Sequence, residues 1–159
     1  MPFGRFSETE FGVPKAVIEL VADGYYAVRV EPDQDDWTFL RVSRPESGPR
    51  KGHFKVQTQH GDNLKEVFAI SPSGEFLVAS GDIRLMIIEL ATGQHKAAAN
   101  YGRKVGKCCR CGKTLTDNVS RKYGIGPECI QMWPDIKELV DAELAEAEDE
   151  EGDDDDFTT

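Results

Sequence analysis

The four cysteines of this 159-residue chain all fall between 108 and 129, and their spacing constrains it more than any other feature. Cys108 and Cys111 form a C-x2-C pair followed directly by Gly112. That spacing lets a tight turn aim two thiolates at one ion, and the glycine supplies the backbone freedom such a knuckle needs. Pro127 suits the first turn of a helix, which predicts Cys129 just inside a helix start. There the backbone N–H groups and the helix dipole favour a thiolate. Three soft anionic ligands suit tetrahedral Zn²⁺. The fourth ligand stays open at this level. His95 is a candidate upstream near a helix end, and Cys109 is another, although neighbouring residues point apart. Asp117 and water are weaker options, and Met132 stands where a treble-clef-like site would want a ligand. The competing reading is a set of buried, reduced cysteines without a metal.

Charge divides the chain. The formal net charge is −10, but residues 135–159 hold thirteen Asp/Glu against Lys137 alone. The first 134 residues are close to neutral, and the stretch 101–122 carries Arg103, Lys104, Lys107, Arg110, Lys113, Arg121 and Lys122 against Asp117. A near-neutral body, a basic patch and an acidic tail suggest a partner for one end or contact between the two. The 39% hydrophobic and 30% charged fractions exclude a collagen-like or fully disordered chain. No stretch approaches the roughly 20 apolar residues a membrane span needs. The first residues, MPFGRFSETEF, show no signal-peptide pattern, so a cytoplasmic setting is expected, where cysteines serve metals more often than disulfides.

Periodicity predicts an α+β fold. Residues 1–15 read as a loosely ordered arm and 16–80 as a β-rich antiparallel sheet. Its strands are predicted at Tyr25–Val30, Trp37–Val42 and His53–Thr58, with a fourth at Val67–Ile70 and an ambiguous segment at Gly74–Ser80. The turn Glu31–Asp36 joins the first two. The period changes at Asp82: Ile83, Met86, Ile87, Leu90 and Ala91 mark an amphipathic helix with Asp82 as N-cap and Gly93 as its stop. Gln94–Val105 is a second connecting helix, so 81–105 joins the sheet to the module. Residues 106–145 form a zinc-binding module and a C-terminal helix, restarted at Pro134 and striped by Ile136, Leu139, Val140 and Leu144. From 146 to 159 the density of acids predicts a disordered tail.

The string Cys108-Cys109-Arg110-Cys111-Gly112-Lys113-Thr114-Leu115-Thr116-Asp117, then Ser120 and Gly124-Ile125-Gly126-Pro127-Glu128-Cys129, resembles a small domain family of unknown function. That family is found in actinobacteria and their phages, alone or appended to larger proteins that include helicase-like ones. Lys113 stands where the family usually has Arg, and Tyr101-Gly102 resembles a Tyr-Gly that often precedes the motif. The resemblance implies a structural zinc module in a phage-type accessory protein, with no established activity.

The basic residues around the knuckle suit phosphates, and Trp37, Phe39, Tyr25 or Tyr26 suit base stacking. The expected partners are nucleic acid or a replication or transcription protein, with no membrane. The acidic end carrying Phe157 looks like the tails of single-stranded-DNA-binding proteins, which dock on partners and compete with DNA. An ending on Phe157-Thr158-Thr159 departs from tails that finish on an apolar residue. The alternative is a protein-interaction module or DNA mimic working through the tail. Catalysis is not expected. The chain lacks H-E-x-x-H, P-loop and G-x-S-x-G patterns, and His53, His60 and His95 are unpaired at ligand spacing.

Overall fold

The computed structural model describes residues 4–29, 37–79 and 83–158, with side chains described as far as Glu146. Six antiparallel strands form one sheet: β1 (Gly4–Phe6), β2 (Gly24–Val28), β3 (Thr38–Ser43), β4 (Phe54–His60), β5 (Asn63–Ile70) and β6 (Phe76–Val78). The order is β1-β6-β5-β4-β3-β2, a meander whose last strand is flanked by the first. Two-residue alternation puts Leu40 and Val42 of β3 inside, while Phe39 and Arg41 stay half-buried on the other face. Val42 pairs with Val56, Val56 with Phe68 and Phe68 with Val78, so one apolar ridge crosses four strands. The rings of Phe11, Phe54, Phe68 and Phe76 meet beneath it at centroid distances of 5.1 to 6.5 Å.

The segment expected as a loosely ordered arm carries regular structure from Gly4 onward. β1 pairs with β6, and a four-residue helix, α1 (Glu8–Phe11), follows. Ser7 and Glu10 make a capping box: the Ser7 hydroxyl accepts the Glu10 N–H, and the Glu10 carboxylate accepts the Ser7 N–H. This start aims Phe11 into the phenylalanine cluster, whose burial ties the segment down.

A short α2 (Lys15–Ile18) leads to β2. Helices α3 (Ile83–Thr92) and α4 (Gln94–Val105) follow the sheet. Ile83, Ile87 and Leu90 are the buried stripe of α3, as the 3.6-residue period predicts. The proposed cap Asp82 and the turn Glu31–Asp36 lie outside the described residues. The α4 helix packs on β2, the edge strand, and buries Ala97, Ala98, Ala99, Tyr101 and Gly102. Its C-terminus leads into the cysteine lobe, which contains α5 (Asn118–Tyr123) and a 3-10 turn at Cys129–Gln131. Then α6 (Pro134–Thr158) packs back on α4 through the buried Ile136 and Val140. Pro134 does restart the helix. Its helical backbone continues past 146, where the sequence predicts disorder; the side chains of that acidic segment, from 147, lie outside those described. A single core runs from Phe11 to Val140 and takes in Cys108, Cys109 and Cys129, so sheet, connecting helices and lobe share one interior. Among the described residues, no helix is long and apolar enough to cross a membrane.

Candidate metal centre

The lobe is built on backbone contacts more than on large side chains. Lys107 and Thr114 make an antiparallel bridge that closes the knuckle. Across it the Cys108 N–H donates to the Lys113 carbonyl at 2.8 Å, and the Gly112 N–H donates to the Cys108 carbonyl at 2.8 Å. Gly112 has φ +79°, the left-handed turn that C-x2-C-G requires. The ring of Tyr25 lies 3.3 Å from where a Cβ on Gly112 would stand, so β2 packs directly on the knuckle.

Cys109 explains why the lobe sits where it does. Its carbonyl accepts the Tyr25 N–H at 2.6 Å, and its N–H donates to the Gly124 carbonyl at 3.1 Å. The residue between the two paired cysteines therefore stitches the knuckle to the sheet edge on one side and to α5 on the other. The thiol of Cys109 is fully buried, and burial holds it well above the ordinary thiol range.

Helix α5 starts at Asp117, whose carboxylate accepts the Ser120 N–H at 2.6 Å and the Ser120 hydroxyl at 3.1 Å. These bonds hold its carboxyl below the ordinary range. After Gly124 the chain doubles back toward the knuckle. At this point α4 and the end of α5 meet backbone to backbone: a Cβ on Gly102 would stand 1.8 Å from the Gly124 carbonyl oxygen. No side chain larger than hydrogen fits there. The approach delivers Gly126 and then Cys129 to the paired cysteines.

The outcome is that the sulfurs of Cys108, Cys111 and Cys129 all lie within 4.8 Å of one another. Tetrahedral zinc with Zn–S bonds of about 2.3 Å holds its sulfurs about 3.8 Å apart, so the donor set fits such an ion with a small contraction. Cys108 and Cys129 are buried and Cys111 is exposed. Burial raises the Cys108 thiol, but backbone N–H groups, with Gly126 foremost at 3.3 Å, outweigh it and bring that thiol below its usual range. At Cys129 burial wins and pushes the thiol up to about 11, although the Arg110 guanidinium donates to its sulfur at 3.7 Å. Cys129 does not open an α-helix as predicted; it begins a single 3-10 turn, too short to carry a helix dipole, and its cationic neighbour is Arg110. A metal ion must therefore displace a proton from Cys129, which makes binding weaken as pH falls.

The other candidate ligands stand apart. His95, in the first turn of α4, has its Nε2 3.7 Å from an Asp135 carboxylate oxygen and is not among the groups that converge with the sulfurs. Cys109 is occupied in the core, Asp117 is spent as a cap, and Met132 is 64% exposed. Among the described residues, the three sulfurs are the only His, Cys, Asp or Glu donors gathered closely enough to hold an ion.

The seven basic residues stay at the surface around this lobe, Lys107 half-buried and the others exposed. Several are already engaged. Arg103 bonds Asn100 and Glu143, Lys104 lies 4.3 Å from the Trp37 ring centroid, and Arg121 donates to the Leu115 carbonyl. Lys122 lies over Tyr123 at 5.2 Å. Lys107 and Lys113 make no ion pair among the described residues. Of the four aromatic residues singled out for stacking, Tyr26 is fully buried, while Tyr25 and Phe39 pack on Tyr101 and are half-buried.

The Arg110 contact, the Gly126 amide and the Gly102–Gly124 approach are the working parts that spacing of cysteines alone does not reveal. The glycines were visible as letters, but their role depends on which backbone they face. No curated protein and no solved structure gives a significant match. Residues 98–131 match a family described as a family of unknown function (DUF6011), a stretch that runs from within α4 to the end of the 3-10 turn and so contains both the glycine contact and all three converging sulfurs.

Proposed function

We propose that Cys108, Cys111 and Cys129 hold one structural Zn²⁺, and that the lobe so ordered is a non-catalytic nucleic-acid contact in an accessory protein. The convergence of three sulfurs inside a lobe ringed by surface cations is the observation that carries this reading. Three thiolates match zinc's preference for soft ligands and tetrahedral geometry. Lys107 and Lys113 supply the first phosphate contacts, with Arg103, Lys104, Arg110, Arg121 and Lys122 contributing once their present partners are exchanged. The role we assign is binding rather than turnover; Asp117, the acid nearest the sulfur pair in sequence, serves as a helix cap with both oxygens on Ser120, and Glu128 is not gathered with the sulfurs. The acidic tail competes for the same cations and tunes the contact.

Fluorescence anisotropy with labelled single-stranded DNA and RNA tests the reading. The metal-loaded protein binds at low salt, affinity falls with a log–log slope of roughly −0.7 per phosphate neutralised, and removal of residues 147–159 strengthens binding several-fold. Absence of binding by both the full chain and the truncated chain at low salt contradicts it.

A further inference from the structure

A groove of about 390 Å³ borders all three sulfur-bearing residues, and its other walls include Arg110, Lys113, Thr114 and Thr116. A liquid water takes about 30 Å³, so this space exceeds what a single solvent ligand fills. Three converging sulfurs satisfy three positions of a tetrahedral ion, and among the described residues no fourth His, Cys, Asp or Glu donor joins them. Two acids line the groove: Asp117 is pinned to Ser120 through both oxygens, and Glu128, though exposed, is not gathered with the sulfurs. Cys111, on the same wall, is exposed, so the sulfur cluster meets solvent on that side.

Resting on the metal centre proposed above, we infer that the fourth coordination position opens into this groove and takes a thiolate supplied from outside the chain. Three thiolates make the ion soft, which favours sulfur over oxygen for the remaining place. They also leave the metal cluster with a formal negative charge, which on its own disfavours a further anion. Arg110, whose guanidinium already bonds the Cys129 sulfur, and Lys113 on the same wall offset that charge. The incoming thiol loses its proton to solvent as its sulfur bonds the metal and a water leaves, so no oxidant or reductant is needed. The donor is a small free thiol or a cysteine of a partner polypeptide; both present the same atom.

Cobalt(II) in place of zinc makes the centre visible. The full-length protein loaded with one cobalt is titrated with 2-mercaptoethanol and, separately, with the tripeptide Gly-Cys-Gly. The expected result is a saturable rise of the sulfur-to-cobalt charge-transfer absorption by about one third, as a fourth sulfur joins three, with a shift of the d–d bands. Tighter binding of the tripeptide points to a polypeptide donor, and equal or weaker binding to a free thiol. A protein that takes up one cobalt but whose spectrum ignores both thiols in large excess overturns this inference and leaves the metal centre standing. A protein that takes up no cobalt overturns both.

Discussion

The sheet and the cysteine lobe are held together by different physics. In the sheet, Phe11, Phe54, Phe68 and Phe76 interlock, and Leu40, Val42, Val56 and Ile70 are buried around them. Full burial of each such side chain is worth about 1.5–3 kcal/mol, so the sheet draws its stability chiefly from apolar burial. Between Gly106 and Trp133 the fully buried apolar side chains are few: Leu115, Tyr123 and Ile125, beside the sulfurs. What shapes the lobe is a set of backbone bonds, one helix cap and a glycine–glycine approach. Such bonds define a geometry but contribute little net stability each. The lesson is that the lobe has a well-specified shape and a thin apolar core, the combination in which a bound metal ion makes the largest difference.

Removing the metal should separate the two regions most strongly. A structural zinc site contributes on the order of 10 kcal/mol apparent to folding of its segment. Chelation should therefore abolish hydrogen-exchange protection at the amides of Cys108, Gly112 and Leu115, while the paired amides of β3, β4 and β5 keep theirs. Protection that survives strong chelators in the lobe breaks the comparison.

A smaller effect is expected at the seam between the regions. Gly102→Ala forces a methyl group into the Gly124 backbone, which neither helix can yield without moving. Overpacking against backbone should cost about 3 kcal/mol, read as a lowered denaturation midpoint, and it should weaken metal affinity because Gly124 leads to Gly126 and Cys129. An unchanged midpoint together with unchanged metal affinity would show that α4 does not position the centre.

The smallest effect sharpens the role of the cap. Asp117 has a folded-state pKa below its unfolded value, because its carboxylate accepts two bonds from Ser120. Its contribution is therefore complete above the ordinary carboxylate pKa and is lost as pH falls through the lower, folded value. Asp117→Ala should reduce stability at neutral pH, and the gap between variant and parent should narrow in acid. A gap that widens in acid contradicts the sign of the shift.

Much of this division was legible beforehand, for reasons that differ by region. The strands around Phe39 and Val56 were readable because two-residue alternation survives wherever one face is buried, whereas the strand around Tyr25, buried without a break from Tyr26 to Val28, was readable from its aromatic and β-branched residues. The first half of β5, Asn63–Glu66, was missed because its side chains remain mostly exposed and its one apolar residue, Leu64, sets no alternation. Both β1 and β6 are three residues long, shorter than any pattern can register. The α4 bounds were readable, but not its destination, since small residues such as Ala98 and Gly102 mark a close approach without naming the partner. The three converging cysteines were readable from spacing. The displacement of His95 to Asp135 was not, because which face of α4 meets α6 is decided by tertiary packing.

Metal content of the purified protein, measured beside single Cys→Ser variants, tests the centre directly. The parent should carry one zinc per chain. Cys108→Ser, Cys111→Ser and Cys129→Ser should each lose it, whereas Cys109→Ser, whose sulfur lies buried outside the cluster, should keep it. A folded parent protein without metal, or a Cys109→Ser variant that loses zinc while the other three retain it, would contradict the account.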